Sequence, residues 1–302
     1  MNKILKMRRM DLNSLDVFCA VVNEGGIVRA AEKLNRVQSN VTTRIKQLEQ
    51  RLGVSLFRRR GRSLELTPQG ADLLVHAERL LRLADEAELS VRGSNSLRPL
   101  RLGSMESTAA SRLPKILAAL HRSKPSLKVE LQTGTTAQLI QRVQDYRLDA
   151  AFVGEPFERN GLNVRSVFRE ELILVTSADH PPVTQSSDLH GQTLITFGKG
   201  CSYRTIIENW ISEAVVKPSR ISEFSSYHAI AACVAANGGY GIIPASVLET
   251  LSLNSAIRKH KLPDGITMNR TYLVWNDEYL PSISALLDQL PLFEAGMPST
   301  GA

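Results

Sequence analysis

The sequence predicts a multidomain chain: an all-α winged helix-turn-helix domain at the N-terminus, a long linker helix, and an α/β domain of two lobes. Three observations predict it. Apolar residues recur at helical spacing from Leu12 to Ala87, broken by a glycine pair and an arginine-rich hairpin signature. From Leu100 onward, short strand-like runs alternate with helices. Charge is divided unevenly: residues 1–98 hold 18 Lys+Arg against 11 Asp+Glu, whereas residues 99–302 hold 19 of each, so the whole net charge of +7 is N-terminal. A basic first third joined to a neutral remainder suits one domain that meets a polyanion, because each phosphate contact releases counterions. A merely solvated basic face is the plainer alternative.

The length of 302 residues suits two or three compact units. No segment approaches the roughly 18 uninterrupted apolar residues of a membrane span. No secretory apolar stretch follows Lys3, Lys6, Arg8 and Arg9, which points to the cytoplasm. Cys19, Cys201 and Cys233 are far apart and odd in number, which suits reduced thiols, and no metal or cofactor is expected.

Leu12, Leu15, Phe18, Cys19 and Val22 define the first helix, stopped by Gly25-Gly26. Ile27, Ala30, Ala31 and Leu34 define a second, whose small alanines let another helix cross closely, and Asn35 to Val37 form the turn. In the third, Val41, Ile45, Leu48 and Leu52 make one core stripe, leaving Ser39, Thr43 and Lys46 opposite. Gln38, Ser39, Asn40, Thr42 and Thr43 cluster at its N-terminal end, where short polar side chains reach base edges in a major groove, while Arg44 and Lys46 suit phosphates. After Gly53, SLFRRRGRSLELT reads as a hairpin with Gly61 in the turn. Arg58, Arg59, Arg60 and Arg62 then form a basic wing, although each arginine singly is equally well solvated surface.

Through AAEKLNRVQSNVTTRIKQLEQRLGVSLFRRRGRSLELTPQG the chain resembles the LysR-type transcriptional regulators, and the likeness runs without a gap from Leu12 to Gly70. The resemblance implies that Gln38 and Thr42 contact bases and that Arg59 and Arg62 lie in the wing. Asn40 departs from the proline usual there; it loses a preset φ and gains a candidate base contact. Met10 looks like the family's usual start, so residues 1–9 read either as a flexible extension or as a start-site error.

Thr67-Pro68 opens the linker helix, in which Leu73, Leu74, Ala77, Leu80, Leu81, Ala84 and Ala87 form a stripe. A core helix would show the same stripe; its position favours a dimerising coiled coil, as the resemblance also implies. Two-fold pairing predicts an inverted-repeat operator. The expected domains are 1–66, 67–97 and 98–302, the last divided into lobe I (98–175 and 271–292) and lobe II (176–270).

The resemblance implies that these lobes form a periplasmic-binding-protein-like effector domain. Polar clusters precede four predicted helices: Ser104, Glu106, Ser107 and Thr108; Thr133 and Thr135; Cys201, Ser202, Tyr203 and Arg204; Ser226 and Tyr227. All follow strands, which places them at the carboxyl edge of an open sheet, where a cleft binds a small polar molecule. Arg204 suits a ligand carboxylate, whereas Glu106, if it faces the cleft, suits an amino acid or amine. Helix capping explains any one of these residues equally well. The expected partners are double-stranded promoter DNA, a small polar effector (carboxylate, amino acid or amine), further copies in a homodimer or homotetramer, and RNA polymerase at the promoter. Three alternatives stand beside this reading. They are a thiol redox sensor, with the Cys201 pKa lowered by a helix N-terminus and Arg204; an enzyme using Cys201 as nucleophile and His228 as base; and an architectural DNA binder without a ligand.

Overall fold

The computed structural model describes residues 10–61, 63–91, 99–251, 255–276 and 281–291. The chain divides into two compact units, Met1–Asn95 and Ser96–Ala302.

In the first unit, α1 (Leu12–Asn23) begins at Asp11, whose carboxylate accepts the Ser14 N–H at 2.8 Å. Then come α2 (Ile27–Lys33) and α3 (Gln38–Leu52), which ends at Gly53 with φ 70°, the left-handed conformation that glycine adopts without strain. Strands β1 (Phe57–Arg60) and β2 (Ser63–Leu66) pair antiparallel around Gly61, and α4 (Pro68–Val91) follows. Leu15, Phe18, Ala30, Ala31, Val41, Ile45 and Leu48 form the core, joined by Leu56, Leu74 and Ala77. The Phe57 ring lies 5.5 Å from that of Phe18, which anchors the wing. Thr67 caps α4 by accepting the Gly70 N–H at 3.0 Å. A Cβ on Gly70 would stand 2.2 Å from the Leu56 carbonyl oxygen, so the helix start and the wing approach as closely as only glycine allows. The stripe expected as a seam on α4 is divided: Leu74 and Ala77 are buried in this unit's own core with Leu73 and Leu81 against it, while Leu80 stays exposed beside Leu83. Helix α1 supplies apolar surface that claims the first half of the stripe.

The second unit alternates strands and helices: β3 (Leu100–Ser104), α5 (Glu106–Ser111), α6 (Leu113–Ser123), β4 (Val129–Thr133), α7 (Thr136–Gln144), β5 (Ala150–Gly154) and β6 (Asn163–Ser177). Next come β7 (Thr193–Phe197), α8 (Ser202–Glu213), β8 (Arg220–Phe224), α9 (Tyr227–Ala235), β9 (Gly241–Pro244), α10 (Ala245–Leu248) and β10 (Ile257–Lys261). The last elements are α11 (Asp264–Thr267), β11 (Met268–Trp275) and α12 (Pro281–Leu287).

Lobe I carries the order β6-β11-β5-β3-β4, with β3 parallel to β4 and β5. In lobe II, β6 lies between β9 and β10, and parallel β7 and β8 adjoin β9 through a bridge between Leu194 and Tyr240. Strand β6 is therefore common to both lobes: residues up to Glu171 pair with β11, and Leu172 onward with β9 and β10. The crossing falls at 171/172 rather than at 175/176, and the return strand starts at Met268 rather than 271, because β6 begins eight residues before the ELILVTS run that announces it. Lobe I has its core around Leu100, Leu102, Leu113, Phe152 and Leu273; lobe II around Leu194, Ile207, Ile230, Tyr240 and Ile243.

Candidate nucleic-acid interface and ligand cleft

Helix α3 turns Val41, Ile45 and Leu48 inward, which its period dictates, and so turns Gln38, Ser39, Asn40, Thr43 and Lys46 to solvent. Asn40 donates its N–H to the Val37 carbonyl at 3.0 Å, a bond that proline at this position would lack. The Thr42 hydroxyl donates to the Gln38 carbonyl at 2.9 Å, so its methyl group is the freer contact. Arg44 is not an unencumbered phosphate ligand, as its Nη1 lies 3.6 Å from Asp11 Oδ1. Asp11 also accepts Arg51 Nη2 at 3.2 Å and the Ser14 hydroxyl at 2.9 Å. Burial acts to raise its pKa, but the Ser14 donors and these guanidinium groups together outweigh that and hold the carboxyl below its ordinary range.

In the wing, Arg58 and Arg60 share Glu65 at 3.3 and 3.6 Å, while Arg59, opposite Leu64, is exposed. Arg62 lies outside the described residues. Glu49 Oε1 accepts the N–H of Leu56 at 2.7 Å and of Phe57 at 3.3 Å, which locks the wing to α3. Sequence reasoning singled out neither Asp11 nor Glu49. Asp11 was legible as a cap three residues before Ser14; Glu49 was not, because its partners are backbone groups seven and eight residues on.

The four polar clusters of the second unit meet where the carboxyl ends of β3 and β4 face those of β7 and β8. An outer groove of about 590 Å³ is lined by residues that include Glu106, Thr133, Thr135, Phe197, Glu223 and Ser226. Deeper, a chamber of about 20 Å³ is bounded by Glu106, Ser107, Cys201, Ser202, Tyr203 and Tyr227, among others. Thr135 borders both and caps α7 in a box with Gln138, so capping and lining coincide at that residue. The Ala137 N–H donates to the Gly200 carbonyl at 3.2 Å across the cleft mouth.

Three expected positions behave otherwise. The Ser104 hydroxyl donates to the Met105 carbonyl at 2.9 Å, and Ser104 lines neither space. Thr108 is buried and is not part of the chamber's lining. Arg204 does not offer itself to a ligand carboxylate: its Nε donates to Glu208 at 2.8 Å and its Nη1 to Glu223 at 2.6 Å and to the Phe197 carbonyl at 3.2 Å.

Burial pushes the Cys201 thiol pKa up, against the lowering influence of the Arg204 and Tyr203 N–H groups and the Arg204 charge; the activated thiolate expected at this helix start is absent. All three cysteines are free, and no hydrogen bond joins Cys201 to His228 among the described residues. Glu106 has its pKa raised by burial, opposed by the Tyr227 N–H and by His228. Phe197, Phe224 and Gln138 also line the cleft without having been singled out, since apolar and amide residues beside strands carry no distinguishing signal.

A winged helix-turn-helix unit and a two-lobed α/β unit with a polar cleft define a class of transcription regulator that couples a DNA-reading module to a small-molecule module. Residues 12–71 match the bacterial regulatory helix-turn-helix protein, lysR family, and residues 94–291 match the LysR substrate binding domain. The chain belongs to the LysR family of DNA-binding transcription regulators. It is 38% identical over 284 residues to the HTH-type transcriptional regulator GltR of Bacillus subtilis, covering 93% of this chain and 96% of that one. It is 37% identical over 275 residues to the regulator YofA of Bacillus velezensis, covering 90% and 94%. The fold is similar to that of a full-length cysteine-to-aspartate variant of OxyR from Pseudomonas aeruginosa (TM-score 0.71, 24% identity, 93% and 95% covered). It is also similar to that of full-length CbnR complexed with its target DNA (TM-score 0.66, 23% identity, 93% and 99% covered). Among the described residues no helix is long and apolar enough to cross a membrane.

Proposed function

We propose that the protein binds promoter DNA sequence-specifically in the cytoplasm as a homodimer or homotetramer, and that a small polar effector held between the two lobes changes that binding. RNA polymerase is the further partner of such a regulator. The observation that carries the DNA assignment is the exposed polar face of α3 beside the exposed Arg59 of the wing, in a unit that holds all the excess positive charge. Gln38, Ser39, Asn40, Thr42 and Thr43 then read bases, and Lys46, Arg44, Arg58, Arg59 and Arg62 hold phosphates. The exposed Leu80, Leu83 and Val91 of α4, spaced three and eight residues apart, support pairing with a second copy. Coupling requires that the effector prefer one arrangement of subunits, since equal affinity for two arrangements shifts neither. The reading is of a regulator that acts by binding, as the relatives named transcriptional regulators support; Cys201, whose thiol pKa burial raises, lends the enzyme reading no support.

Fluorescence anisotropy with a labelled duplex from the gene's own upstream region, beside a scrambled duplex and across a salt series, tests the DNA assignment. Gln38→Ala should erase about 1–3 kcal/mol of the preference for the upstream duplex. Arg59→Ala should weaken both duplexes alike and flatten the salt slope by about 1. Equal wild-type affinity for the two duplexes would favour architectural binding, and absence of binding would overturn the assignment.

A further inference from the structure

We infer that the ligand of the interlobe cleft is a cation: a primary ammonium group seated against Glu106 in the inner chamber, with an apolar body lying in the outer groove. The inference rests on the reading of this cleft as the effector site.

The polar inventory of the site carries it. Among the described residues no Lys, Arg or His lines either space, whereas two carboxylates do. Of these, Glu223 is exposed and already paired with Arg204, whose buried guanidinium it shares with Glu208. Glu106 has no such ion pair among the described residues; its Oε2 is buried without a hydrogen bond. A buried anionic oxygen without a donor is costly, and an ammonium group supplies three donors and the missing charge together.

Two of the helix starts where an anionic ligand would bind are internally filled. The first-turn N–H of Tyr227 on α9 faces the Glu106 carboxylate, and α7 is closed by the Thr135–Gln138 box. A ligand carboxylate would therefore face Glu106 as a like charge; His228, which acts on Glu106 from outside, is solvent-exposed and lines neither space.

Ser107 and Tyr203 complete the pattern. Both hydroxyls are buried, at 2% and 3% exposure, both border the chamber, and they face each other there, with the Tyr227 hydroxyl also turned to Ser107, as a small polar cluster without a well-formed hydrogen bond. Burial keeps Tyr203 a neutral phenol, able to accept an ammonium N–H as well as to donate. The chamber volume of about 20 Å³ holds one water-sized group, which an ammonium is, and the far larger groove leads out from it. At the junction the Phe197 and Tyr227 rings lie 4.8 Å apart and present aromatic surface to a cation and its carbon chain.

The test is calorimetric titration of the full-length protein with three probes of one skeleton: 2-phenylethylamine, 2-phenylethanol and 3-phenylpropionate. The amine should bind most tightly. Glu106→Gln, which keeps an acceptor for the Tyr227 N–H, should weaken it by about tenfold or more, the scale of one lost charge-assisted bond. Glu106→Asp should restore part of that loss, and the alcohol should be indifferent to both changes. Tighter binding of the carboxylate, an amine affinity unchanged in Glu106→Gln, or no saturable response to any probe overturns the inference. Thr135→Trp, which fills the groove, separates the two readings. Carboxylate binding that this change blocks leaves the effector cleft standing and removes only the cation. Binding of any probe that it does not block places the ligand elsewhere and removes both.

Discussion

Asp11 shows how much one carboxylate arranges in the DNA-reading unit. It caps α1 through Ser14 and holds Arg44 and Arg51 at the flank of α3. Exposed ion pairs of this kind contribute little stability, so their importance here is what they withhold from a phosphate. Asn is as good a cap as Asp. Asp11→Asn should therefore leave the unfolding midpoint almost unchanged while releasing the Arg44 guanidinium. The expected outcome is tighter binding to any duplex, with the salt slope steeper by about 0.9 for the one new phosphate contact. Unchanged slope with unchanged affinity would show that Arg44 does not reach the backbone. At the same scale, the sequence reading of Arg204 as a ligand partner overlooked Glu208, four residues on along the helix, and Glu223, nineteen residues away. That second partner converts a candidate anion ligand into an internal strut, and only the parallel pairing of β7 with β8 brings it within reach.

At the scale of elements, helices with a clear stripe and strands with continuous apolar runs were legible in the sequence. The first half of β6 was not, because NVRSVF alternates weakly and is half-buried. Strand β10, IRKHK, escaped notice because it is a charged edge strand, the form that discourages further pairing. Yet β10 carries the buried polar centre of lobe II. His260 Nδ1 accepts the Val183 N–H at 3.1 Å, which leaves the proton on Nε2, 2.8 Å from the Thr176 hydroxyl; that hydroxyl donates onward to the Ser177 carbonyl at 3.2 Å. Burial first, then His180 and Arg258, lower the His260 pKa. The folded state thus binds fewer protons here than the unfolded chain, whose imidazole titrates near pH 6.5. The stabilisation is present above that pH and is lost as pH falls through it. Urea unfolding followed by the fluorescence of Trp210 and Trp275 should give a lower midpoint at about pH 5.5 than at about pH 8, and His260→Gln should reduce the difference. An equal pH dependence in the variant would exclude His260 as its source.

For the whole molecule, the divided stripe of α4 sets what assembly has to work with. Leu74 and Ala77 are consumed inside the chain's own unit, and Leu80 and Leu83 remain, exposed at 40% and 56%. Leu80→Glu combined with Leu83→Glu should move the protein toward monomer in analytical ultracentrifugation. Affinity for a duplex with two half-sites should fall by about 10²-fold or more as the second contact ceases to be intramolecular, while affinity for a single half-site stays the same. Retention of the wild-type sedimentation profile would place the dimer contact on another surface.

The shared strand β6 has a consequence for how such a chain can be rebuilt. Its fifteen residues form the edge of the lobe I sheet and an interior position in the lobe II sheet, and the polypeptide returns to lobe I through β11. No cut point yields either lobe whole: removing residues 172–267 takes no strand pairing from the lobe I sheet but leaves its chain to be rejoined, whereas lobe II expressed alone lacks its scaffold unless β6 goes with it. The two halves of the cleft are therefore not exchangeable cassettes. New ligand preferences have to be installed side chain by side chain at the rim, or by transplanting both lobes as one piece.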